Sequence, residues 1–182
     1  KDRIKKGLNQ ELEVIWSLIE RNIFKLIYMP MKYYLTYIKD TIGNNYVGIE
    51  IPKEDILIHL EKLKELLGDE FEIYTQNQQN RDHNSYHMTV INVMDCNRLS
   101  KEMGMANFVK SVELAFEFPI EDIEMLGVGK ASKNENTAYF VVCQSDGLDA
   151  VRTRFNLPKH DFHITLGFNT KDVFGVPKNE VI

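Results

Sequence analysis

The sequence predicts an α+β domain: two pseudo-symmetric lobes of antiparallel sheet with flanking helices around a central cleft, preceded by an N-terminal helical extension. Three observations predict it. The apolar period switches repeatedly between two and 3.6 along the chain, the signatures of strand and helix. A strand–helix–strand unit occurs twice, over residues 46–93 and 137–168. The closing strand of each unit carries the same tetrapeptide pattern, His-apolar-Thr-apolar.

At 182 residues, with 43% hydrophobic and 27% charged side chains, the chain has ordinary globular composition and enough length to bury a core without staples. Disordered, collagen-like and low-complexity classes are excluded. The formal net charge of −5 disfavours a protein that grips long duplex nucleic acid through its phosphates. Cys96 and Cys143 are the only cysteines, so there is neither a disulfide framework nor a thiolate cluster. A reducing, cytoplasmic setting is the simplest expectation. No run of about 20 apolar residues occurs, so no membrane span is expected.

Residues 1–40 form the expected extension and residues 41–182 the domain. Leu12, Ile15, Trp16, Ile19, Ile23, Leu26 and Ile27 make one apolar stripe at helical spacing over residues 8–28,. Packing on the domain is the simpler use of that stripe; a partner-binding or lid helix is the alternative. Pro30 interrupts it, and residues 31–39 read either as a second short helix or as a tyrosine-rich strand.

After the turn signal Gly43-Asn44-Asn45, residues 46–51 alternate as a strand with Val47, Ile49 and Ile51 toward the core,. Pro52, Glu54 and Asp55 open a helix with Ile56, Leu60, Leu63 and Leu67 on one face, stopped by Gly68,. Residues 71–75 read as a strand, the polar run 76–85 as an exposed loop, and 86–93 as a strand. A short helix is expected over 97–104, an irregular connection over 107–110, and strands over 112–118 and 123–130. Residues 132–136 read as a loop, 137–144 as a strong strand, 146–155 as a helix and 162–168 as the last strong strand, with an irregular tail.

Two of the five histidines begin matched motifs, His87-Met88-Thr89-Val90 and His163-Ile164-Thr165-Leu166. Residues i and i+2 of a strand share a face. His87 and Thr89 therefore project together while Met88 and Val90 enter the core. His163 and Thr165 do the same, with Phe162, Ile164, Leu166 and Phe168 inward. With eight Thr in 182 residues, two such pairs among five histidines arise by chance roughly once in fifty sequences. Either pair alone reads as a surface His–Thr on a half-buried strand; two in matched halves read as one site.

Paired motifs of this kind, on strands of two similar lobes, resemble the two-histidine (2H) phosphoesterase superfamily over residues 44–170. The segment Met125-Leu126-Gly127-Val128-Gly129 resembles the strand before the second lobe in members acting on RNA 2′,3′-cyclic phosphates. The run from His160 to Phe168, followed by Asp172-Val173-Phe174-Gly175-Val176-Pro177-Lys178, is similar to members associated with RNA repair. Phe162 stands where many bacterial members have Pro. The resemblance implies a phosphodiesterase of RNA processing, needing no metal and no cofactor.

The chemistry asks for these residue types. A water or 2′-hydroxyl must lose a proton while the leaving oxygen gains one, and two imidazoles near neutrality supply both functions. Each threonine hydroxyl can donate to a non-bridging phosphate oxygen. Either histidine fits either role. Other constellations are missing: there is no His-Glu-x-x-His, Cys-x-x-Cys, Gly-x-Ser-x-Gly or Gly-x-x-x-x-Gly-Lys,. His59 reads as structural or surface, and His83 as a loop residue near the first motif.

Further substrate-binding candidates are Tyr46 and Tyr139, which open equivalent strands and offer faces for base stacking, Lys130 for a phosphate, and Phe174 as a cover over the cleft. The expected partner is a nucleotide or oligonucleotide phosphodiester. A hydrolase of cyclic or 2′,5′-linked oligonucleotide messengers is the alternative. A nucleotide-binding module without turnover, with residues 1–40 serving a protein partner, is an alternative of another class.

Overall fold

The computed structural model describes residues 31–182. The helix expected over residues 8–28 lies outside the described residues. Six strands run in chain order β1 Leu35–Lys39, β2 Asn45–Ile51, β3 Tyr86–Ile91, β4 Glu124–Lys133, β5 Asn136–Gln144 and β6 His163–Phe168. The helices are α1 Leu57–Leu67, α2 Phe71–Asp82, α3 Val93–Met103, α4 Met105–Phe116 and α5 Asp146–Arg154. The architecture is α+β. Among the described residues no helix is long and apolar enough to cross a membrane.

The strands form one antiparallel sheet in the order β1-β2-β3-β6-β5-β4. It consists of two three-stranded halves, and the pairing between them is a single residue pair, Met88 with Ile164. In each half two directly pairing strands are joined through helix: β2 and β3 through α1 and α2, β5 and β6 through α5. The two lobes are therefore halves of one sheet, hinged where both motifs lie. The tyrosine-rich segment is a strand: β1 pairs with β2 from Leu35 opposite Ile49 to Lys39 opposite Asn45. The sheet thus begins inside the segment assigned to the extension.

The main core joins helices to sheet through Val47, Ile49, Met88, Val90, Ile164 and Leu166 from the strands with Leu63, Val112 and Leu148 from the helices, all nearly or fully buried. Arg152 of α5 is also buried and donates to the carbonyls of Val90 and Pro158, which ties α5 to the end of β3. A smaller cluster of Ala131, Ala138, Phe140, Val142, Phe168 and Val173 lies under the C-terminal tail. Phe168 joins this cluster rather than the main core. Thr165 pairs with Phe140 and Gly167 with Tyr139, leaving Leu166 extra in β6; the extra residue reverses the alternation.

Two segments differ in kind from the expectation. Residues 71–82 are helix α2, not a strand and a loop. Its polar side chains are held in place: buried Gln78 donates to the Ser85 carbonyl and Asp82, and Asn77 donates to the carbonyls of Phe168 and Asn169. A polar run lacking an apolar stripe is helical here because its side-chain amides hydrogen-bond the backbone at the end of β6 and before β3. Close contact helps: a Cβ on Gly167 would lie 2.8 Å from the Tyr74 backbone. The segment read as an irregular connection and a strand at 107–118 is helix α4, where Phe108 and Val112 bury on one face one turn apart,. Helix α3 also starts earlier than expected, capped by Asn92, whose side chain accepts from the Asp95 amide,. The loop expected at 132–136 is the tight end of a hairpin, with Lys133 paired to Asn136.

Candidate active site

Antiparallel register through Met88 and Ile164 sets His87 abreast of Thr165 and Thr89 abreast of His163. Each motif histidine thus faces the other motif's threonine. Met88 and Ile164 are fully buried in the core, so all four motif side chains project from the opposite face. They line one cleft of about 730 Å³ together with Tyr46, Arg81, Asp82, Asp172 and Phe174.

Tyr46 and Phe174 both line the cleft, Tyr46 as a buried residue and Phe174 as an exposed one. The Tyr46 ring lies 5.7 Å from that of His87, and burial raises its phenol, with Asp82 adding to the shift. Phe174 is 71% exposed and Met94 80% exposed; both line the cleft and offer apolar contact to a ligand. Lys130 and Tyr139 do not line it. Tyr139 is buried against Tyr74, ring to ring at 5.6 Å, and the Lys130 ammonium lies 5.7 Å from the Tyr139 ring. Their position in β4 and β5 sends them away from the motif face. His83 lines the cleft as an exposed residue in the left-handed conformation that ends α2.

Four charged residues that the motif reading did not single out connect the two histidines. Asp82 accepts from the Arg81 guanidinium at 2.7 and 2.5 Å, and its Oδ2 stands 4.0 Å from Nδ1 of His87. Arg81 also pairs with Asp172. Asp172 further accepts from the Lys178 ammonium at 3.1 Å, the Val173 amide at 2.7 Å and the Thr165 hydroxyl at 3.3 Å. Lys178 in turn stands 3.3 Å from Nε2 of His163. The chain His87–Asp82–Arg81–Asp172–Lys178–His163 carries two positive and two negative charges, so the site is close to neutral although the protein is not. Arg81 and Asp82 sit at the end of α2, inside the run read as a loop; Asp172 and Lys178 follow the second motif in the tail.

The electrostatics separate the two histidines. Burial lowers both. His163 falls to about 4, pushed first by burial and then by the Lys178 charge. Its Nδ1 lies 2.7 Å from the Asp161 carbonyl, so Nδ1–H donates there and the neutral ring keeps its lone pair on Nε2. Burial also lowers His87, but the Asp82 carboxylate works against it. Burial alone would raise Asp172, yet Lys178 and Arg81 hold its carboxyl below the usual range. Burial lowers Lys178, with Asp172 opposing. Among the described residues no group of three or more His, Cys, Asp or Glu side chains is arranged to hold a metal ion.

Such a cleft offers two imidazoles for proton transfer, a threonine hydroxyl at Thr89 with no hydrogen-bond partner among the described residues, and the Arg81 guanidinium on its wall, with the buried Lys178 ammonium beside Nε2 of His163. No curated protein and no solved structure matches the chain. A family model, "Swiss Army Knife, 2H phosphoesterase domain", matches residues 45–174, a span that opens with β2 and contains both motifs, Arg81, Asp82 and Asp172. With well over half its length matched and both His-x-Thr motifs on one cleft, the chain belongs to the 2H phosphoesterase superfamily.

Proposed function

We propose that the protein is a phosphodiesterase acting on a nucleotide or RNA-end phosphodiester, such as a 2′,3′-cyclic phosphate, by metal-independent acid–base catalysis with His87 and His163. The observation that carries this reading is the convergence of both His-x-Thr motifs on one cleft across the Met88–Ile164 junction. Membership in the family supports a phosphoesterase in general; the substrate class rests on the cleft. It has room for a mononucleotide or a little more. Exposed Phe174 and Met94 suit a base, and Arg81 and Lys178 suit a phosphate.

The asymmetry of the histidines favours one assignment for hydrolysis. His163 is held neutral with its lone pair on Nε2, which suits a general base that takes a proton from water. His87 has a carboxylate near Nδ1, and a bound phosphate anion would further favour its protonated form. That suits a general acid delivering a proton to the leaving ribose oxygen. Thr89 donates to a non-bridging oxygen as charge builds there.

The test is turnover of a panel containing 2′,3′-cyclic mononucleotides, cyclic dinucleotides and 2′,5′-oligoadenylate, with and without EDTA. Hydrolysis of the 2′,3′-cyclic substrates, undiminished by EDTA, is expected. Preferential hydrolysis of the oligonucleotides would move the reading to messenger degradation. Binding without turnover of any member would favour a nucleotide-binding module. Loss of activity in EDTA, restored by a divalent ion, would replace the acid–base mechanism.

A further inference from the structure

Lys178 stands beyond the span matched by the family model and yet contacts two residues of the cleft wall, His163 and Asp172. Its side chain is only 6% exposed. The ammonium lies between the rings of Phe140, at 5.5 Å, and Phe174, at 5.8 Å. The Lys178 backbone is pinned as well, because its amide donates to the Asp161 carboxylate at 3.0 Å. The residue that holds Nδ1 of His163 through its carbonyl therefore also holds, through its carboxylate, the backbone of the lysine that faces Nε2. Both ring nitrogens of His163 are addressed by a 161–178 clamp.

The two acceptors of the ammonium are unequal. Asp172 is an anion at 3.1 Å; the imidazole nitrogen is neutral and at 3.3 Å. A phosphate oxygen is a stronger acceptor than a neutral ring nitrogen, because both partners of the bond are then charged. We propose that Lys178 is a substrate-responsive gate on His163: in the geometry described it caps the Nε2 lone pair, and an arriving phosphate draws the ammonium onto itself and releases that lone pair to act as base. Asp172 stays bound throughout, so the ammonium turns about a fixed anchor. The gate ties basicity at Nε2 to the presence of the group that needs it. This rests on the phosphodiesterase reading for its biological use but concerns a local exchange of hydrogen bonds.

Other charged groups around His163 do not replace Lys178. From the segment before β6 the His160 ring lies 6.3 Å away, with the Asp161 carboxylate occupied by the Lys178 amide. From α2, Arg81 reaches Asp172 and Asp82, and His87 of β3 faces Asp82. Lys133 at the β4–β5 hairpin donates to the Phe174 carbonyl. Of these, only Lys178 contacts Nε2.

The test is imidazole nitrogen NMR on the full chain at pH 7.5, titrated with inorganic phosphate. In the wild type the Nε2 signal of His163 should sit at the position of a hydrogen-bonded acceptor and move toward that of an unbonded one as phosphate saturates. Lys178→Met should place it at the unbonded position before phosphate is added. The midpoint of His163 titration should then rise by about one pH unit, as removal of an adjacent cation does, and Lys178→Arg should return it toward wild type. Lys178→Met paired with Asp172→Asn repeats the measurement with no orphaned carboxylate, should the single variant not fold. An Nε2 signal that ignores both phosphate and Lys178→Met, or phosphate that leaves every cleft signal unmoved, would overturn the gate. Loss of turnover in His163→Ala and His87→Ala judges the phosphodiesterase reading separately, since the NMR readout needs no turnover.

Discussion

The hydroxyl of Thr165 donates to the carboxylate of Asp172 at 3.3 Å, so the two motif threonines are not equivalent. Thr165 is buried and committed to a carboxylate that Arg81 and Lys178 also hold. Thr89 is half-buried on the cleft and has no hydrogen-bond partner among the described residues. Thr89→Val should therefore lower turnover more than Thr165→Val. Thr165→Val should appear chiefly as a stability loss of about 1 kcal/mol, the scale of one hydrogen bond. Paired kinetics and denaturant midpoints of the two variants check this; equal losses of turnover would show that Thr165 leaves Asp172 to serve the substrate.

Replacing His87 or His163 by Ala should each lower turnover by about 10²-fold or more, the usual scale for a general acid or base. The double variant should be little worse than the worse single one, because the pair acts as a unit. Single-turnover rates on the best 2′,3′-cyclic substrate measure both statements. Full activity in His87→Ala beside a dead His163→Ala would point to a single-base mechanism.

Stability should depend on pH through His163. Its folded value is depressed to about 4, while the unfolded chain titrates near the ordinary value of about 6.5. Between these values the unfolded chain binds more protons, so acidification favours unfolding. The contribution is intact above about pH 6.5 and is lost as pH falls toward 4, amounting to about 3 kcal/mol. His87 and His160 are also lowered by burial and act in the same sense. Urea midpoints from pH 7 to pH 4 should fall more steeply for the wild type than for His163→Asn. Parallel curves would remove His163 from the account.

Arg81 bridges two carboxylates, Asp82 at 10% and Asp172 at 5% side-chain exposure. Arg81→Met leaves both without their shared cation and should cost about 3 kcal/mol, as loss of one partner from a buried ion pair does. Adding Asp172→Asn should recover part of that loss, since the sites share one network. Denaturant midpoints of the single and double variants decide it; strictly additive losses would show that the two charges do not act through each other.

Legibility varied with how local the cause was. Strand β2 and the Ile56–Leu60–Leu63 face beside it could be read because period and burial agree there: Val47 and Ile49 are 1% and 0% exposed. The His-x-Thr motifs could be read for the same reason, since i and i+2 share a face in any strand. Helix α2 could not, because what holds Asn77 and Gln78 lies at Phe168, Asn169 and Ser85. Arg81 and Asp82 were lost with it. The placing of Tyr139 rests on analogy between the halves, and analogy does not preserve which face a residue takes; Lys130 pairs with it and shares that face.

The sequence by itself determined the α+β class, two similar units and the four motif residues, because alternation along a strand is enough to place a histidine and a threonine side by side. Only the tertiary structure decided that the two units join at one residue pair and that His87 faces Thr165. Only it brought Asp172 and Lys178 from the tail, and Arg81 and Asp82 from α2, into one charge chain between the histidines. The physical reason is range. Side-chain direction follows from backbone geometry over two or three residues, whereas the charge on an imidazole follows from whatever the fold brings within a few ångströms of it in a buried site.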